Sequence, residues 1–275
     1  MQRLSTKEKK LALFFNSYRG LELLKTLKKK YLVDIYLCKK NLKQDIKSKL
    51  RGIKYTLISK IDNGLIFKVK KNKYFLIISA GCPYIFPKEL INAAKKNVIN
   101  LHAGPLPEYR GGSPLNWQMI NGENYIGISI IKMTKGLDSG PIYEKAKFKL
   151  KDKYNINDVH KKANKIFSKL TRKTINKILK NKKPIPQSSK KVKIYKQRSD
   201  DDGLIEWKKL KADQVYNFVR ALSKPYPGAY FFKKGKKIRL FKCKKSKLNP
   251  NLKPGTKFLI KNKQYIKCKK FSIQI

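Results

Sequence analysis

LALFFNSYRGLELLKTLKKKYLVDIYLC, residues 11–38, decides the fold. Its first five residues are an unbroken apolar run of strand length, the pattern of a strand buried on both faces. Residues 16–20 have turn composition, and Leu21, Leu23, Leu24 and Leu27 then recur at helical spacing. Residues 31–38 form a second apolar run rich in strand-favouring types. Strand, helix, strand at this spacing demands a crossover, which places the strands parallel in a sheet covered by helices. The expected fold class is therefore α/β, a Rossmann-like, mostly parallel sheet. The turn lacks Gly-x-Gly-x-x-Gly, so a nicotinamide cofactor is not expected.

Outward from this unit, residues 39–73 are lysine-rich, with a short strand expected at 55–58 and another at 65–69. Residues 74–79 read as the central strand. They run into Cys82, Pro83, Tyr84, Ile85, Phe86 and Pro87, a loop at a strand's carboxyl end, where open α/β sheets bind ligands, and a helix over 88–96 follows. A helix starting at Pro114, a strand at 126–133, an outer strand at 143–150 and a long helix over 156–179 complete the first domain. His160 lies in that helix with no partner motif around it and reads as a packing or surface residue. Residues 1–180 are expected to form one domain and 181–199, with their Pro, Ser and Lys, a linker. Residues 200–275 are expected to form a small β-barrel-like (OB-like) domain, with a helix at 212–221 and short strands between turns.

The reactive residues gather between two apolar runs in VINLHAGPLPEYRGGSPLNWQMINGENYIGISIIKMTKGLDSGPI, residues 98–142. Asn100 and His102 alternate on one strand, so one face carries an amide and an imidazole. Asp138 sits in a Gly-flanked turn, Gly136-Leu137-Asp138-Ser139-Gly140, from which a carboxylate can reach an imidazole on the neighbouring strand.

Asn-x-His, Leu-Pro-x-Tyr-Arg-Gly, Asn-Gly-Glu and Gly-Leu-Asp-Ser-Gly, in this order, resemble the catalytic signature of the 10-formyltetrahydrofolate-dependent formyltransferases. Asp-Gly-x-Ile-x-Trp at 202–207 and Tyr226-Pro227-Gly228-Ala229 are similar to the C-terminal domain of the same family. The resemblance implies an enzyme, with Asn100, His102 and Asp138 catalytic, Cys82 through Pro87 lining the pterin pocket with backbone groups, and 10-formyltetrahydrofolate as formyl donor without a metal. One departure is visible at Gly104-Pro105-Leu106-Pro107, where many members carry Ser-Leu-Leu-Pro. The run from Arg110 through Ser113 and Asn116 to Trp117 most resembles the amino-sugar branch, which implies a nucleotide-linked amino sugar as acceptor and assigns Arg110, Ser113 and Asn116 to it. Arg110 can equally tie down the Gly-rich loop. Methionyl-tRNA is the alternative acceptor; a formyltetrahydrofolate hydrolase and a non-catalytic RNA-binding module are the alternative functions.

The net charge of +51 suits a polyanion partner such as tRNA. Lysine supplies nearly all of it, however, and Ile, Asn and Tyr abound alongside, so a biased codon composition explains the excess without RNA binding. No apolar run reaches the length of a membrane span, and residues 1–7 lead into charge instead of an apolar signal core, so a cytoplasmic protein is expected. Cys38, Cys82, Cys243 and Cys268 show neither disulfide-framework nor zinc spacing.

Overall fold

The computed structural model describes residues 9–275, and the 1–7 stretch lies outside the described residues. The chain divides into two compact units, one built from residues up to 110, 127–147 and 162–194, the other from 111–126, 148–161 and 195–275.

The chain begins β1 (Lys10–Phe15), α1 (Tyr18–Leu27), β2 (Leu32–Cys38), α2 (Gln44–Lys49), β3 (Thr56–Ile58), α3 (Asn63–Lys71), β4 (Leu76–Ser79), α4 (Lys88–Ile91) and β5 (Asn97–His102). It continues through β6 (Arg110–Gly111), α5 (Pro114–Ile120), β7 (Tyr125–Lys132), β8 (Ile142–Lys149), α6 (Ile156–Leu179) and β9 (Ile194–Tyr195). The main sheet has the order β3-β2-β1-β4-β5-β7-β8. It is parallel from β3 to β5 and antiparallel where β7 joins β5. The chain winds one way from β1 to β3 and the other way from β4 to β5, so the topological switch point lies between β1 and β4, where ligands bind beyond the strands' carboxyl ends.

Alternation along the strands puts Ala12, Phe14, Tyr36, Cys38, Ile77 and Val98 in one core cluster. Phe14 stacks on Tyr36 at 4.5 Å and meets the edge of Phe86 at 5.1 Å. Two expectations need correction in this unit. Residues 65–69 are not a strand but the middle of α3: the Asp62 carboxylate accepts the Leu65 N–H as N-cap, and Leu65, Ile66 and Val69 bury one helical face. The helix expected over 88–96 ends at Ile91.

In the second unit α7 (Ala212–Leu222) is followed by β10 (Ala229–Lys233), β11 (Lys236–Leu240), β12 (Lys244–Ser246), β13 (Lys257–Ile260), β14 (Lys263–Lys267) and β15 (Ser272–Gln274). Among the described residues these strands make a two-stranded hairpin and a four-stranded antiparallel sheet, β12-β15-β14-β13. Val215, Val219 and Leu222 of α7 share a core with Phe231, Ile266 and Ile273. Among the described residues no helix is long and apolar enough to cross a membrane.

Candidate active site

β5 presents Asn100 and His102 on one face, as alternation requires. The turn after β7 returns Asp138 to that face. Its Oδ2 lies 3.3 Å from His102 Nδ1 and its Oδ1 accepts from Asn100 Nδ2 at 3.3 Å. The imidazole is 5% exposed and the carboxylate 12%, so Asp138 is the more accessible end of the pair.

The other ring nitrogen of His102, Nε2, lies 2.5 Å from the Tyr109 carbonyl. Both edges of the ring thus face acceptors, which favours a proton on each nitrogen. Burial opposes this and pushes the His102 pKa below its ordinary value, with Asp138 and the Tyr109 carbonyl pulling it back up. Gly104 makes the arrangement possible: a Cβ there would stand 2.8 Å from the Tyr109 oxygen and 2.9 Å from His102 Nε2. The departure from the Ser-Leu-Leu-Pro pattern therefore has a local reason, since this loop brings its own carbonyl against the imidazole.

The Asp138 turn is itself held from outside. Asp138 has φ +45°, a left-handed conformation that side chains other than glycine adopt at a cost. Gly140 passes so close to the Lys132 carbonyl that a Cβ would lie 1.8 Å from its oxygen. Gln187, in the stretch read from sequence as linker, donates from Nε2 to the carbonyls of Asp138 and Gly140, both at 2.7 Å. Its Oε1 accepts from Arg110 Nε at 3.2 Å and Nη2 at 2.9 Å. Sequence reasoning missed Gln187.

The loop from Cys82 to Pro87 follows β4 at the switch point. Phe86 is buried in the core and anchors it, a burial worth about 2 kcal/mol. Ile85 stands 91% exposed, and Pro83, Tyr84 and Pro87 are partly covered. The loop thus presents an apolar lip, Ile85 outward and Phe86 inward, at the carboxyl end of β4. Cys82 Sγ lies 3.3 Å from Cys38 Sγ, both thiols are free, and the thiol contact together with burial raises the Cys38 pKa.

The structure brings Asn100, His102 and Asp138 together and links Arg110 to the same turn through Gln187. Ser113 and Asn116 belong to the second unit. Ser113 Oγ accepts from Gln197 Nε2 at 2.9 Å and from the Arg198 N–H at 3.2 Å, while Asn116, 2% exposed, donates to the Ala221 carbonyl at 2.8 Å. Trp117 faces the Arg198 guanidinium at 4.9 Å. His160 Nε2 pairs with the Tyr226 hydroxyl at 3.1 Å within the second unit.

The chain is 36% identical over 208 residues to the bifunctional polymyxin resistance protein ArnA of Wigglesworthia glossinidia brevipalpis, covering 75% of this chain and 31% of that protein. It is 34% identical over 203 residues to a methionyl-tRNA formyltransferase of Thermodesulfovibrio yellowstonii, covering 73% of this chain and 64% of that one. Other methionyl-tRNA formyltransferases match at 30% to 34% identity. The chain thus spans less than two thirds of the length of either named relative. In fold it is similar to the N-formyltransferase from Helicobacter canadensis, solved with folinic acid and dTDP-3-aminofucose, at a TM-score of 0.74 and 16% identity over 97% of this chain and 98% of that one. Residues 26–175 match the formyl transferase family model and residues 197–275 the model of the formyl transferase C-terminal domain. The chain belongs to the formyl transferase family.

Proposed function

We propose that the chain is an N-formyltransferase that moves a formyl group from 10-formyltetrahydrofolate to a primary amine. The observation that carries this reading is the cluster of one amide, one imidazole and one carboxylate on β5 and its facing turn. The folate supplies the formyl group and the leaving nitrogen, and the Cys82–Pro87 loop, an apolar lip at a strand's carboxyl end, is assigned to its pterin.

Asn100 has two amide hydrogens, and only one is directed at Asp138, so the second is assigned to the oxyanion that develops on the formyl oxygen. His102 is fixed by the Tyr109 carbonyl on one edge and Asp138 on the other. Its held orientation stabilises the Asp138 carboxylate; as the amine nitrogen bonds to the formyl carbon, the more exposed Asp138 takes the amine proton, shares it with the imidazole, and the proton passes to N10 as the carbon–N10 bond breaks. Arg110 orients the Asp138 turn through Gln187 and is assigned to the acceptor side of the reaction.

The acceptor is assigned to the nucleotide-linked amino sugars. Pro-Leu-Asn-Trp at 114–117 supports this, as does near-complete mutual coverage with a fold whose solved member holds a nucleotide sugar. Methionyl-tRNA is the second reading, favoured by the run of methionyl-tRNA formyltransferases among the relatives and by the +51 charge. The deciding experiment compares kcat/KM at physiological salt for UDP- and dTDP-linked amino sugars against methionyl-tRNA, with 10-formyltetrahydrofolate as donor. Preference for a sugar supports the assignment; preference for the charged tRNA replaces it. Binding to tRNA at low salt decides nothing, because charge alone produces it.

A further inference from the structure

We propose that Gln187 is a positioning residue for Asp138, acting from the stretch read from sequence as linker. This inference rests on the reading of Asp138 as a reacting group. Four hydrogen bonds use the whole Gln187 amide: two N–H donors go to the Asp138 and Gly140 carbonyls, and two lone pairs accept from Arg110. An amide can make no more than these. The bonding also fixes which end is which, because the flipped amide would set its oxygen against two carbonyls and its nitrogen against a guanidinium.

The clamp closes on the backbone that most needs it. The left-handed φ of Asp138 is a conformation that a non-glycine residue keeps only when its surroundings impose it, and Gln187 bonds the carbonyl of that residue and of Gly140. Gln187 is half-buried between exposed neighbours, Pro186 and Ser188. Its segment is anchored two residues earlier, where Ile185 and Ile142 exchange backbone bonds of 2.7 Å and 2.9 Å. Arg110, in turn, sits one residue after Tyr109, whose carbonyl holds His102. One side chain therefore ties the strand end that orients the imidazole to the turn that orients the carboxylate. With His102 Nδ1 and Asp138 3.3 Å apart, a shift of a few tenths of an ångström in the turn decides how well the pair is bonded.

The test is a double-mutant cycle on the full chain with 10-formyltetrahydrofolate and the best amine acceptor. Gln187→Ala is expected to lower kcat about 10- to 100-fold with both KM values changed less than about 3-fold, the signature of misplaced reacting groups with binding intact. In an Asp138→Asn background the same substitution is expected to change kcat less than about 2-fold, because its effect runs through that carboxylate. Gln187→Glu keeps size and shape but loses both donors, so it is expected to match Gln187→Ala and also serves if the alanine variant fails to fold. Ser188→Ala, one residue away, is expected to behave as wild type. Equal losses in both backgrounds, or wild-type kcat in a folded Gln187→Ala, overturns the positioning role. Full activity of Asp138→Asn instead removes the reading of Asp138 and is recognisable separately.

Discussion

Each unit contains a carboxylate held by cationic or hydrogen-bonding partners, and the two clusters differ in what holds them. In the second unit Asp200 faces Arg239 and Lys237, both at 2.8 Å, in partly open surroundings. Arg239 and Lys237 hold its carboxyl far below the usual range. Asp202 beside it is lowered to about 2 by Lys196 and the Ser199 backbone. In the first unit the Asp138 carboxylate meets the Asn100 amide and the buried His102 imidazole, each at 3.3 Å. The first arrangement ties loops together in water, where ion pairs contribute little. The second sequesters a weak acid and a weak base from water and leaves a proton to be placed between them, the condition for acid–base chemistry. Partner type and dryness, and not the number of charges, separate the site from the scaffold.

The comparison breaks first at the trio. Asp138→Asn, His102→Ala and Asn100→Ala are each expected to lower kcat/KM by about 10²–10³-fold or more while circular dichroism and Tm show a folded protein. A folded His102→Ala with wild-type turnover removes the first cluster from the chemistry.

Gly104→Ala sharpens it. The added methyl group must displace the Tyr109 carbonyl or the imidazole, so a loss of about 10- to 100-fold in kcat is expected with the substrate KM values little changed. Steady-state kinetics on the purified variant provides the check.

Next is pH. Because burial lowers the His102 pKa in the folded state, the imidazole resists protonation there more than in the unfolded chain. Its contribution to stability is complete above the unfolded value of about 6.5 and is lost as pH falls below it, until the ring is charged in both states. Wild-type Tm should thus fall more between neutral pH and pH about 5 than that of His102→Gln. Parallel curves would show that the imidazole is not held neutral by burial.

The smallest effect belongs to the second cluster. Asp202→Asn should lower Tm at neutral pH by no more than about 2–4 °C and leave kcat unchanged. Since its folded pKa is depressed to about 2, the wild-type advantage is complete above about pH 4 and disappears as pH falls through about 2. A large loss of kcat would place this cluster in the chemistry after all.

The sequence was legible where local pattern and tertiary role coincide. β1, α1 and β2 follow from an unbroken apolar run, leucines at helical spacing and a second run. Asn100 and His102 share a face because strand alternation leaves no other choice. Legibility fails where the deciding contact is distant. Leu65–Val69 fits a strand or a helix by composition, and the Asp62 cap decides for α3. β12 is Lys-Lys-Ser, with no apolar alternation to announce it, and exists through pairing with β15. Gln187 stands among Pro, Ser and Lys with no periodicity around it. Its role comes from bonds to residues 49 and 77 positions away, which no local reading reaches.

The central claim, that the Asn100–His102–Asp138 cluster transfers a formyl group to an amine, is tested most directly by following a ¹³C-labelled formyl group from 10-formyltetrahydrofolate by mass spectrometry. Wild-type protein, given a nucleotide-linked amino sugar or methionyl-tRNA, should place the label on the acceptor amine, and Asp138→Asn should reduce that product at least about 100-fold. Label recovered only as formate with every acceptor, or equal labelling by the folded Asp138→Asn variant, would contradict the account.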